Sequence, residues 1–176
     1  MTSRILWALL LSGLFVTQAA AQSQISMDVL EEKFSSHIRT KMPGWTHRRV
    51  QPMLNSPNVL IEVWSFPNRS VKISVVPYKS AQQAREVLQG FLKYEPNREE
   101  VKALGDEAYA RGVMRSHLVF RRGKFLVYVE AGADIDAEPN MARLSAPERI
   151  EREKNEVKKL SKEFAKHLVA AIDDER

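Results

Sequence analysis

A chain of 176 residues, 44% hydrophobic and 28% charged, has the length and apolar content for a single core, at a size where folding removes about 68–70% of the unfolded surface. It contains no cysteine, which excludes disulfide staples, thiolate metal sites, a cysteine nucleophile and a lipid-bearing cysteine. The formal charge of +5 is mild and its basic residues are interleaved with acids, so the concentrated basic stripe that marks nucleic-acid binders is missing.

In chain order, Arg4 precedes an apolar run from Ile5 to Val16, and Ala19, Ala20 and Ala21 follow it. The run is shorter than the about 20 residues of a membrane span, and the small residues sit where signal peptidase needs them. This pattern predicts a signal peptide over residues 1–21, cleaved after Ala21, and a single mature domain over residues 22–176. The product is expected in the periplasm or outside the cell, soluble and without a membrane anchor.

Leu30, Phe34 and Ile38 recur every fourth residue after Ser26, predicting an amphipathic helix that ends at Pro43 and Gly44. Residues 46–54, 59–66 and 70–78 read as strands of an antiparallel meander, separated by polar turns. In the second, Val59, Ile61 and Val63 share one face while Leu60, Trp64 and Phe66 share the other. That two-sided apolar pattern predicts a central strand. Ser80 and Gln83 form a capping box for a second helix running to about Tyr94, with Ala84, Val87, Leu88, Phe91 and Leu92 as its stripe. Residues 97–102 read as a polar connector.

Strands follow over 107–111, 116–121 and 124–131. Arg122 and Gly123 join the last two, the glycine at the left-handed position of a three-residue turn. Residues 132–144 read as a polar loop. Ser145 and Glu148 then cap a long helix with Pro147 in its first turn and Ile150, Val157, Leu160, Phe164, Leu168 and Ile172 as its stripe. The order α-βββ-α-βββ-α predicts an α+β fold, a mostly antiparallel sheet of about six strands with two to three packed helices. With helices on both faces it becomes a three-layer α/β/α sandwich.

Reactive residues are dispersed. His37, His47, His117 and His167 fall in four separate elements without the short spacing of a metal motif, so they are expected half-exposed at the surface, His167 packing at the core edge between Phe164 and Leu168, with no metal and no cofactor. Asp134, Asp136 and Glu138 place oxygens at alternate positions as a calcium loop begins, but Pro139 and Ser145 stand where such a loop needs glycine and glutamate, leaving a solvated loop. No nucleophile elbow or glycine-rich phosphate cradle is present. Asp106, Glu107, His117 and Asp134 are the candidates for a hydrolase. Arg111, Arg115, Arg121, Arg122 and Lys124 surround the hairpin and form a candidate anion-binding patch if they share a face. Charges at strand ends that discourage edge-to-edge association are the alternative.

Leu104, Gly105, Asp106, Glu107, Ala108 and Tyr109, with the strand pair around Gly123, resemble a cassette of small exported bacterial proteins of uncharacterised families. The element order is also similar to the PsbP-like α/β/α sandwich, which implies an accessory or sensor-type domain rather than one enzyme class. Gly105 and Asp106 equally suit a structural turn, through backbone freedom and bonds to nearby N–H groups. The expectation is an exported, soluble, non-catalytic domain that binds a partner protein or a small envelope ligand in a cleft beside the sheet. A hydrolase acting on envelope material, and recognition of anionic polymer or lipid headgroups by the hairpin arginines, are the alternatives.

Overall fold

A computed structural model describes residues 26–52, 58–112, 116–139 and 141–174. The expected signal peptide, the end of the expected first strand and Arg115 lie outside the described residues. The Ser26 hydroxyl accepts from the Asp28 N–H at 3.3 Å and opens helix α1, Met27–Lys41, which buries Leu30, Phe34 and Ile38. It ends where the Met42 N–H reaches the Ile38 carbonyl at 2.7 Å.

Strands β1 (Thr46–Arg49), β2 (Leu60–Phe66) and β3 (Arg69–Pro77) form the expected antiparallel meander. Pro67 and Asn68 turn β2 into β3, with Asn68 at φ 61, the pattern of a type II turn. Helix α2, Ala81–Leu92, starts where the Ser80 hydroxyl accepts from the Gln83 N–H at 3.1 Å. The Gln83 side chain accepts from the Lys79 N–H rather than that of Ser80, so the reciprocal half of the capping box is shifted by one residue.

A second meander follows. It comprises β4 (Glu99–Glu100), β5 (Glu107–Arg111), β6 (His117–Arg122) and β7 (Phe125–Ala133). The connector expected over 97–102 thus contains an edge strand, two exposed glutamates paired with β5, which apolar periodicity cannot reveal. Arg122 pairs directly with Phe125, so the hairpin turn has two residues, not three, with Gly123 at φ 57. β7 runs to Ala133, and two 3₁₀ turns, Ile135–Ala137 and Met141–Arg143, give the expected polar loop local structure.

Helix α3, Ala146–Asp173, opens with both the N–H and the hydroxyl of Ser145 donating to the Glu148 carboxylate, at 2.8 and 2.6 Å. Its first buried residue is Val157. Ile150, expected in the apolar stripe, is 55% exposed because it precedes the part of the helix that packs. Among the described residues no helix is long and apolar enough to cross a membrane.

The seven strands are all antiparallel in the order β1-β2-β3-β7-β6-β5-β4, and the two meanders join through the long β3–β7 pairing, from Arg69 opposite Ala133 to Pro77 opposite Phe125. β7 is therefore the middle strand. β2, expected at the centre, lies one strand from the edge, and its Ile61 and Val63 are only half-buried because α2 packs on β6 and β7 instead.

Alternation along each strand sends side chains to opposite faces. Leu118, Phe120, Val127 and Val129 join the core with α1 and α3, whereas Val119 and Leu126 meet Leu88 and Leu92 of α2. The result is an α/β/α arrangement with two helices on one face and one on the other. Phe34, Trp64 and Phe164 meet edge-on at the centre of the thicker layer, with ring centroids 5.7 to 6.4 Å apart. Such pairs add about 0.5–1.5 kcal/mol each beyond their burial.

Candidate functional site

The hairpin cations do not form one patch. Arg111 stands opposite His117 while Arg121 stands opposite Glu107, four positions further along β6, a separation of about 13 Å at the rise of a strand. Each of the described guanidiniums, those of Arg111, Arg121 and Arg122, already holds a carboxylate. Arg111 pairs with Glu95 at 2.8 Å and lies over the Phe91 ring. Arg121 binds Asp106 at 2.7 Å and Glu107 at 3.2 Å, and Arg122 binds both Asp173 oxygens, at 2.6 and 2.7 Å, as well as Asp106 at 2.9 Å. Lys124 sits 5.7 Å from the Phe125 ring centroid.

The candidate hydrolase set is dispersed too. Asp106 and Glu107 come together, because Asp106 precedes β5 in the Gly105 turn and strand alternation does not separate them. Both, however, are engaged by Arg121. Burial raises the Asp106 carboxyl, but the Gly123 N–H and the Arg122 and Arg121 guanidiniums together hold it below the usual range. His117 lies at the far end of β6, 3.7 Å from Glu130. Asp134 opens a 3₁₀ turn, with its N–H on the Asn68 carbonyl at 2.7 Å. The acids after it face arginines: Asp136 pairs with Arg149 at 3.2 Å, and Glu138 with Arg69 at 2.7 Å and Arg152 at 3.3 Å.

A different constellation forms where α1 crosses the edge of the sheet. The β1–β2 register sets His47 opposite Trp64 and Arg49 opposite Glu62, and directly opposed residues share a face. Glu31 and Ser35, one turn apart on α1, meet that face. Glu62 occupies the inward register of β2 between Leu60 and Trp64 and is 0% exposed. Its Oε2 accepts from the Trp64 indole N–H at 2.8 Å. Its Oε1 is buried and has no hydrogen-bond partner among the described residues.

Aromatic and charged groups surround this carboxyl. The His47 ring stacks on Trp64 at 4.4 Å with 17° between planes, and its Nε2 lies 3.5 Å from the Ser35 hydroxyl. Arg49 Nη1 donates to Asp28 at 2.6 Å and to Glu31 Oε2 at 2.8 Å. One ligand atom each from Glu31, His47 and Glu62 lies within 4.8 Å of the others.

Burial pushes the Glu62 carboxyl up to about 7. The Trp64 N–H works against that shift, Glu31 adds to it, and Arg49 and Arg39 oppose it. Burial likewise lowers His47, helped by Arg39 and opposed by Glu31. The corner thus combines an imidazole biased toward its neutral, coordinating form with a carboxyl whose charge costs free energy unless a cation or a donor meets it.

Sequence periodicity passes over this site. It assigns the inner face of β2 to Leu60, Trp64 and Phe66, and the signal it leaves unread is the acid at the intervening position of that same face. Four histidines in four elements show no spacing, and only the fold brings His47 to Glu62. No protein-family model matches the chain, and comparison with curated proteins and with solved structures returns no significant match.

Proposed function

We propose that the protein is an exported, non-catalytic binding domain that holds a small envelope ligand at the corner between α1 and the β1–β2 pair. The observation that carries this reading is Glu62 Oε1, buried and without a partner among the described residues, beside His47 and Glu31. Native proteins satisfy the large majority of their buried side-chain polar atoms, and a carboxylate oxygen left bare is a place for something to bind. The export half of the reading rests on Arg4, the apolar run and the alanines before Gln22. Anionic ligands at the hairpin are disfavoured, since Arg111, Arg121 and Arg122 would have to surrender their carboxylates. A hydrolase built from Asp106, Glu107, His117 and Asp134 is disfavoured by their dispersal.

The test is native mass spectrometry of the protein isolated gently from the exported fraction of the cells that make it. We expect a bound small mass on the parent chain that Glu62→Gln lacks, together with a mature terminus at Gln22. A parent chain that is bare, or that is retained with residues 1–21 still attached, would overturn the corresponding half.

A further inference from the structure

Resting on that reading of the corner, we propose that Glu31, His47 and Glu62 bind a Zn²⁺-type divalent cation. Three ligands reach the point from three different elements, α1, β1 and β2, and their ligand atoms already lie within 4.8 Å of one another. Zn²⁺ held at about 2.1 Å from each ligand sets ligand separations near ~3.4 Å. Closing the set to that spacing takes an approach of Glu31 and His47 toward the buried Glu62.

Charge supports the same occupant. The set holds two carboxylates: Glu31 already pairs with Arg49, while Glu62 has an oxygen with no hydrogen-bond partner among the described residues. Arg49 acts on Glu62 only through space, because the hydrogen bonds of its Nη1 go to Asp28 and Glu31. It uses Glu31 Oε2, and a carboxylate can give its second oxygen to a metal. An imidazole with two carboxylates is a borderline donor set. It suits Zn²⁺ better than Cu⁺, which favours sulfur, or Mg²⁺ and Ca²⁺, which favour oxygen alone.

The outer contacts match those of a metal centre. The Trp64 N–H fixes the Glu62 carboxylate through Oε2, leaving Oε1 for the ion, while Trp64 stacking and the Ser35 hydroxyl orient the His47 ring. Such second partners hold first ligands in place in known sites. With three protein ligands, a tetrahedral ion keeps a fourth position for water or a small anion.

The experiment is calorimetric titration of the chelator-treated full chain with Zn²⁺, followed in parallel by tryptophan emission. We expect one ion per chain and an emission change from Trp64. Glu62→Gln keeps the side-chain volume and an acceptor for the indole N–H, so it should stay folded. It should weaken binding by about 100-fold or more and abolish the emission change. Glu86→Gln, on exposed α2 across the sheet, should bind as the parent does.

Absence of Zn²⁺ binding by the parent, or equal binding by Glu62→Gln, would overturn the assignment. If the parent takes no Zn²⁺ but carries a small organic mass that Glu62→Gln lacks, the metal falls and the corner remains a ligand site. A parent with neither loses both readings.

Discussion

Two charged regions lie at different places on the same sheet, and they are built on opposite terms. At the turn before β5 and the end of β6, Asp106, Glu107 and Asp173 each face a guanidinium at 3.2 Å or less. Arg111 and Arg121 do leave a buried Nε without an acceptor, but their charge is matched. At the corner of α1, β1 and β2, Glu62 is deeper than any of these acids, yet among the described residues its only hydrogen bond comes from a neutral indole. The number of charges therefore does not mark a site. What marks it is a charge whose partner the protein has not supplied, because such a group costs stability until something else meets it.

The largest expected effect breaks the matched region. A Cβ on Gly105 would lie 2.5 Å from the Arg121 carbonyl oxygen, at a backbone φ of 60, so Gly105→Ala should displace the turn that aims Asp106. A loss of about 3 kcal/mol or more in denaturant unfolding is expected.

Next comes the unmatched region, where removal of charge should stabilise. The Glu62 carboxyl is raised from 4.5 to about 7 on folding, so between those values the folded chain binds more protons than the unfolded one. Stability then falls as pH rises through that window and levels off above it. With both proteins chelator-treated, Glu62→Gln should therefore be more stable than the parent by up to about 3 kcal/mol at pH 8, with the gain vanishing below about pH 4.5. Thermal unfolding across pH would show it, and a gain that grew toward acid would contradict the burial argument. Burial sets the shift, Glu31 adds to it, and Trp64, Arg49 and Arg39 oppose it, so Arg49→Gln should widen the window upward.

A smaller effect is expected when Arg122→Gln removes the fork on Asp173 and the bond to Asp106. These side chains are one-quarter to one-third exposed, and solvent screening limits the loss to about 1–2 kcal/mol. The loss should shrink in high salt and in acid. Asp106 is held below its usual range, so its contribution is full above that range and disappears as pH falls through its folded value. Least of all, Lys124→Gln should change stability by less than about 0.5 kcal/mol, since it gives up only a distant contact over Phe125.

Local chemistry made most of the elements readable in the sequence. Ser26, Ser80 and Ser145 start the three helices, and the Leu30–Phe34–Ile38 and Val157–Leu160–Phe164 spacings point their stripes inward. The hairpin at Gly123 follows from its turn residue. Strand order was not readable, because pairing β3 with β7 depends on side chains from distant parts of the chain. β4 was invisible for a different reason: Glu99 and Glu100 are held by β5 backbone rather than by burial of their own side chains.

The corner was half legible. Alternation puts position 62 on the inner face of β2, so an acid there already breaks the pattern. That His47 shares this face depends on the β1–β2 register, and Glu31 joins them through the placement of α1, neither of which appears in any local spacing.

The β3–β7 seam and the contact of α1 with α3 have a consequence for the order in which the chain can fold. A ribosome delivers α1 and the first meander early, but Phe34 and Trp64 find Phe164 only when the last helix emerges. β3 likewise waits for β7. Contacts this far apart in sequence make closure slow and leave little to lock in beforehand. The core of the thicker layer therefore cannot be complete until the C-terminal helix is available, wherever the chain folds.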